Sequence, residues 1–247
     1  MIKLRSAEEI KKIKAACAVV RDTLAYVGRH IRAGMTTREV DALVHDYIVA
    51  EGAIPSSLGY FGFPGSACVS IDEVVVHGIP DDRVLREGDI VSVDITAKKD
   101  GYNGDACRTF CIGEVSPEKR KLVKVTEECF FDAVKHLQVG SPLYDIGYYV
   151  QSRAESNGFG VIRDYVGHGI GKDLHEDPAV PNVGRKGTGV RLRAGTVLCI
   201  EPMISMGDWH VETLSDGWTA VTVDRSPAAH YENTVLLTDR GVEILTL

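Results

Sequence analysis

The chain has 247 residues, 44% of them apolar, and a formal net charge of −7. This length permits one large domain or two small ones with a substantial core, and the acidic balance argues against nucleic acid as the main ligand. No apolar run approaches the ~20 residues of a membrane helix. Met1 to Arg5 runs into a polar helix start rather than a signal-peptide core. The six cysteines form no C-x-x-C pair and read as free thiols in a reducing cytoplasm.

Ser6 and Glu9 make a capping box, followed by Ile10, Ile13, Cys17, Val20, Leu24 and Val27 at helical spacing. A second box, Thr36 and Glu39, precedes a helix carrying Val40, Leu43, Val44, Tyr47 and Ile48, which Gly52 ends. Strands are predicted at 67–71 and 90–97. A tight turn at Lys99-Asp100-Gly101 leads into a returning strand at 105–112. Ser116-Pro117-Glu118 opens a third helix with buried Leu122, Val125, Cys129, Ala133, Val134 and Leu137, ended by Gly140. A shorter helix spans about 144–156. Further strands are predicted at 197–204, 219–223 and 231–237.

The order is thus helix, helix, strands, twice over. Leu85 to Asp94 matches Leu192 to Glu201 in the pattern L-R-x-G-x-β-apolar-x-β-acid, with β as Val or Ile. Each copy is expected to be a strand projecting a carboxylate from its far end. His77-Gly78-Ile79 and His168-Gly169-Ile170 stand upstream of the two copies, and Asp105 and Glu232 are second acids downstream. The expected architecture is an α+β domain over residues 1–247. Two pseudo-symmetric halves, about 1–113 and 114–247, would surround a central antiparallel sheet backed by helices. No linker or low-complexity stretch divides them.

Two such halves would bring four carboxylates to one centre. Buried together, they need cations to neutralise them. Gly167-His168-Gly169-Ile170-Gly171 adds a histidine on a glycine-rich loop, and His175 follows beside Glu176. Cys17, Cys129 and Cys199 read as small core residues.

D-I-T-x5-Y-N-G-D (94–105), G-H-G-I-G-x3-H-E (167–176), I-E-P-M (200–203) and Y-E-N-T (231–234) resemble the metal-binding motifs of type I methionine aminopeptidases. H-G-I-P-D-D (77–82) and D-G-W-T (216–219) resemble that family too. The resemblance covers essentially the whole chain and implies the pita-bread fold. It makes Asp94, Asp105, His168, Glu201 and Glu232 the ligands of two divalent ions, with Asp105 and Glu232 bridging. Mn(II), Fe(II) or Co(II) suits one imidazole among four oxygen donors, with Zn(II) admissible. Four carboxylates balance two 2+ ions, and a bridging water there ionises near neutrality.

By the same resemblance, Glu201 shuttles the proton, His175 supports the oxyanion and His77 lies near the scissile nitrogen. Tyr60, Phe63, Cys68 and Trp218 form the methionine pocket. Phe63 stands where a tyrosine is common, and Leu174 where a phenylalanine often precedes the second histidine; both keep the pocket apolar. The implied activity removes the N-terminal methionine of nascent chains with a small second residue. The implied setting is a cytoplasmic monomer with transient ribosome contact and neither nucleic acid nor membrane as partner.

Prolidases and aminopeptidases P share such ligands but usually carry a sizeable extra N-terminal domain. Here only about sixty residues precede the first strands. Type II enzymes carry an inserted helical segment in the second half. The intervals His175–Glu201 and Glu201–Glu232 hold 25 and 30 residues, too few for it. A non-catalytic scaffold would be expected to have lost ligands. A glycosidase using two carboxylates leaves His168 unexplained.

Overall fold

A computed structural model describes residues 2–247. Helix α1 (Ala7–His30) starts where its cap dictates: Ser6 Oγ accepts from the Glu9 amide, and the Glu9 carboxylate accepts from the Ser6 amide at 2.9 Å. Its buried face carries Ile13, Cys17, Val20, Leu24 and Val27, the spacing of one helical stripe. Helix α2 (Thr37–Ala50) repeats the device with Thr36 and Glu39. Helices α3 (Pro117–Lys135) and α4 (Asp145–Ser156) follow. Phe130 of α3 is fully buried although outside the predicted stripe, and its ring lies 5.5 Å from that of Tyr231.

In the first half, Ile90–Lys99 and Tyr102–Cys111 form a hairpin turning at Asp100-Gly101, both at positive φ. Ala67–Ile71 pairs along the other edge of Ile90–Lys99, and Ile54–Pro55 pairs with its end. α1 and α2 cover this sheet, packing Val20, Val44 and Ile48 with Val69, Val93 and Ile95. The second half holds a five-stranded antiparallel sheet. Its spatial order is Gly241–Ile244, Asn233–Thr238, Val197–Ile200, Gly167–Gly169, Glu176–Val180. Leu122 and Phe130 of α3 and Val150 of α4 pack with Leu198, Ile200 and Val235 of this sheet.

Two three-stranded ribbons complete the fold: Val211–Thr213, Ala220–Thr222, Val74–Val76, and Ala228–His230, Met203–Ser205, Gly160–Val161. The antiparallel sheet is therefore divided into four hydrogen-bonded groups. The predicted strand 197–204 is broken at Glu201-Pro202, because proline offers no amide to a ladder; Met203–Ser205 joins a different group. The 219–223 strand shortens to Ala220–Thr222. The 231–237 strand becomes Asn233–Thr238, with Ala228–His230 separate. Asp94 sits in the middle of its strand rather than at the end. Gly167–Gly169 and Glu176–Val180 were not expected as strands. Glycine, proline and acid carry little strand propensity, and tertiary pairing overrides it.

The two largest sheets meet where the Cys107 amide donates to the Glu232 carbonyl (3.4 Å) and the Glu232 amide to the Cys107 carbonyl (3.1 Å). Asp105 and Thr234 add a second link: the Asp105 amide donates to Thr234 Oγ1 at 3.1 Å, and that hydroxyl donates to the Asp105 carbonyl at 2.8 Å. Arg108 spans this seam. It donates to the carbonyls of Cys107, Glu232 and Thr246 and to Asn233 Oδ1, at 2.6–3.3 Å. Its guanidinium lies 4.3 Å over the Tyr231 ring. Gly104 lets α1 lie directly on the hairpin beside Asp105, since a Cβ there would fall 2.7 Å from the Cys17 nitrogen. Replacing Arg108 by Met is expected to destabilise the fold by about 2–3 kcal/mol, the worth of charged hydrogen bonds left unmade. Urea denaturation measures this, and an unchanged midpoint would remove Arg108 from the seam.

Candidate active site

Strand register explains how distant acids converge. Thr96 faces Asp105 across the hairpin. Asp94, two residues from Thr96, therefore shares Asp105's face of the sheet. In the other sheet His168 pairs with Cys199, and Asn233 with Ile200. His168, Glu201 and Glu232 thus emerge side by side, and the seam sets them against Asp105. Gly167 permits this closeness: a Cβ there would sit 2.3 Å from the Cys199 carbonyl oxygen.

His168 Nε2 lies 3.6 Å from Asp105 Oδ2 and 3.7 Å from Glu201 Oε1. Its Nδ1 is 2.9 Å from the Gly169 carbonyl. A carbonyl only accepts, so Nδ1 carries the proton and Nε2 turns a bare lone pair to the acids. One donor atom from each of Asp105, His168, Cys199 and Glu232 lies within 4.8 Å of the others. Asp94 Oδ1, Asp105 Oδ1 and Glu232 Oε1 are buried with no hydrogen-bond partner among the described residues. Orphaned carboxylate oxygens facing a bare imidazole nitrogen fit divalent cations. Burial and the neighbouring carboxylates push the Cys199 thiol well up.

Burial also raises all four carboxyls: Asp94 to about 7, and Asp105, Glu201 and Glu232 well above the carboxylate range, with mutual repulsion adding to these three. Desolvation lowers His168 to about 3 and His77 to about 4, each helped by His175. His175 is lowered by desolvation as well. All three imidazoles are neutral at pH 7.

Every side chain expected at the site lines one cavity of about 560 Å³: Asp94, Asp105, His168, Glu201 and Glu232, with His77, His175, Tyr60, Phe63, Cys68 and Trp218. Leu174 lines it too. The volume lies in the range of small-ligand sites. Phe63 packs edge-on to Trp218 at 5.2 Å between ring centroids. His175 Nδ1 is 2.8 Å from the Tyr60 hydroxyl, and its ring lies 4.2 Å from that of His168. His77 adopts φ +58°, a left-handed conformation uncommon for a residue with a side chain.

The histidine loop is clamped from the N-terminus. Arg5, whose side chain is 6% exposed, pairs with Glu176 and donates to the Ile170 carbonyl at 3.0 Å. Lys3 adds a 3.1 Å contact to Glu176. The sequence reading missed Thr96, Tyr165 and His230, all of which line the cavity. His230 stands two residues before Glu232, but the strand ends between them, and its place at the cavity is set by the pairing of Ala228–His230 with Met203–Ser205.

Residues 11–239 match the model of metallopeptidase family M24. The chain is 53% identical to the methionine aminopeptidase of Clostridium acetobutylicum, over 100% of this chain and 99% of that one. The crystal structure of methionine aminopeptidase from Thermotoga maritima superposes with a TM-score of 0.98 at 47% identity, covering 100% and 99% of the two chains. A prolidase from Pyrococcus furiosus shares the fold at a TM-score of 0.79 and 23% identity, but only 65% of that longer chain is covered. The fold is the pita-bread fold, and the chain belongs to metallopeptidase family M24, among its methionine aminopeptidases.

Proposed function

We propose that this enzyme removes the N-terminal methionine of nascent proteins by two-metal hydrolysis of the first peptide bond, preferring a small second residue. One observation carries the reading: a single cavity is lined by apolar and aromatic side chains together with four carboxylates and a bare imidazole nitrogen. Asp94, Asp105, His168, Glu201 and Glu232 would hold the ions. When bound, divalent cations supply Lewis acidity that polarises the peptide carbonyl and activates water.

The chain's own residues do the rest. Phe63, Cys68 and Trp218 offer polarisable walls suited to a thioether. The acid cluster would engage the free amine of a chain terminus, which an internal segment lacks. Neutral His175, braced by Tyr60, donates to the oxygen on which charge develops, and neutral His77 donates near the leaving nitrogen. Glu201 carries the proton from water to that nitrogen.

The decisive assay supplies Met-Ala-Ser and Ala-Pro-Ala together to metal-stripped protein restored with Mn(II). Methionine release alone, abolished by chelator, is expected. Cleavage of only the proline peptide would place the activity with the prolidases. For His175→Ala, kcat is expected to fall about 10²–10³-fold while elemental analysis finds the metal content unchanged. Loss of metal in that variant would make His175 a ligand instead.

The shifted groups also set a pH dependence. Without metal the folded state keeps protons on carboxyls that the unfolded chain releases above about pH 4–5. Stability therefore falls as pH rises through the elevated values. The histidines act oppositely: the folded state binds fewer protons below about pH 6.5, so protonation there favours unfolding. Between roughly pH 6.5 and 8 only the carboxyls remain in play. The Tm of chelated protein is expected to decline across that window, and saturating Mn(II) to remove the decline by displacing the protons. A Tm that rises with pH in chelator would contradict the cluster's electrostatics.

A further inference from the structure

Glu201 has an imidazole on each side. His168 faces its Oε1, as described above. On the other side His230 Nε2 lies 3.7 Å from Glu201 Oε2 and 3.9 Å from Glu232 Oε2. One donor atom from each of Glu201, His230 and Glu232 lies within 4.8 Å of the others. His230 is 2% exposed, and its Nε2 has no hydrogen-bond partner among the described residues.

This nitrogen is too far from either carboxylate for a hydrogen bond, yet it is aimed at both. The backbone holds it there. The His230 amide donates to Thr109 Oγ1 at 3.0 Å, that hydroxyl donates back to the His230 carbonyl at 2.8 Å, and His230 pairs with Met203 across the ribbon. A buried, unpaired nitrogen among carboxylate oxygens at 3.7–3.9 Å has the layout of donors around a missing cation rather than of partners to each other.

We propose that His230 is a sixth protein donor to the metal centre, its Nε2 coordinating the divalent ion at the Glu201–Glu232 edge. The centre then has two imidazoles, one on each side of Glu201, with the four carboxylates. A neutral imidazole leaves the charge balance of four carboxylates against two 2+ ions unchanged. It adds a softer donor, which moves metal preference away from Mn(II) toward Fe(II), Co(II) and Zn(II). The inference rests on the reading of this cluster as a metal centre.

Proton NMR of the Co(II)-loaded protein tests it without recourse to activity. Each coordinated imidazole contributes one hyperfine-shifted N–H resonance that disappears in D₂O. Two such resonances are expected from the native protein and one from His230→Gln, with one Co(II) equivalent bound about 10–100-fold more weakly in the variant by calorimetry. The native count alone decides the matter should the variant fold poorly. A single exchangeable resonance in the native protein, with Co(II) bound, would overturn the role of His230 and leave the metal centre standing. Failure of the native protein to take up Co(II) at all would overturn both.

Discussion

The structure depends on the burial of four carboxylates at the seam between its two sheets. Asp105 and Glu232 are almost inaccessible, and Asp94 and Glu201 line the cavity beside them. Buried charges of one sign raise each other's proton affinity and oppose the closure that brings them together. The fold tolerates this because the backbone joins across the same point. Cys107 pairs with Glu232, Asp105 with Thr234, and Arg108 ties three carbonyls there while covering Tyr231. The elements that assemble the cluster are thus the ones that strain against it, and cations release the strain.

Rigidity around the cluster has separate sources on its two sides. On the first, a ten-residue hairpin strand lies under α1, with Gly104 admitting the helix backbone next to Asp105. On the second, His168 sits on a short strand paired with Val197–Ile200, and His175 on the loop that follows it. Arg5 and Lys3 clamp it through Glu176 and Ile170. The N-terminal segment, remote in sequence, therefore positions two of the cavity's histidines. Neutral imidazoles follow from the same packing, since desolvation in a closed site disfavours their charged form.

Much of this was legible before any coordinates. Two capping boxes, the Asp100-Gly101 turn and the apolar stripes of α1 to α3 are local signals, and each element starts where its residues predict, although α3 ends at Lys135, short of the expected Gly140, and leaves Leu137 beyond it. The repeated ten-residue pattern indicated paired acids, and the residues that the motif resemblance assigned to metal and pocket all line one cavity. Strand boundaries in the second half were less legible: Pro202 splits one predicted strand, and Gly167–Gly169 and Glu176–Val180 pair despite poor propensity. His230 escaped notice because it reads as an ordinary histidine until Ala228–His230 is placed against Met203–Ser205.

By itself the sequence determined the helices, the hairpin, the family and the inventory of acids and histidines, because capping, periodicity and motif spacing act within a few residues of chain. Only the tertiary structure decided which polar atoms face one another, that Arg5 and Arg108 hold them there, and that His230 turns toward Glu201 and Glu232. Those contacts join residues more than a hundred positions apart. They are set by strand register across the seam, which no local pattern encodes.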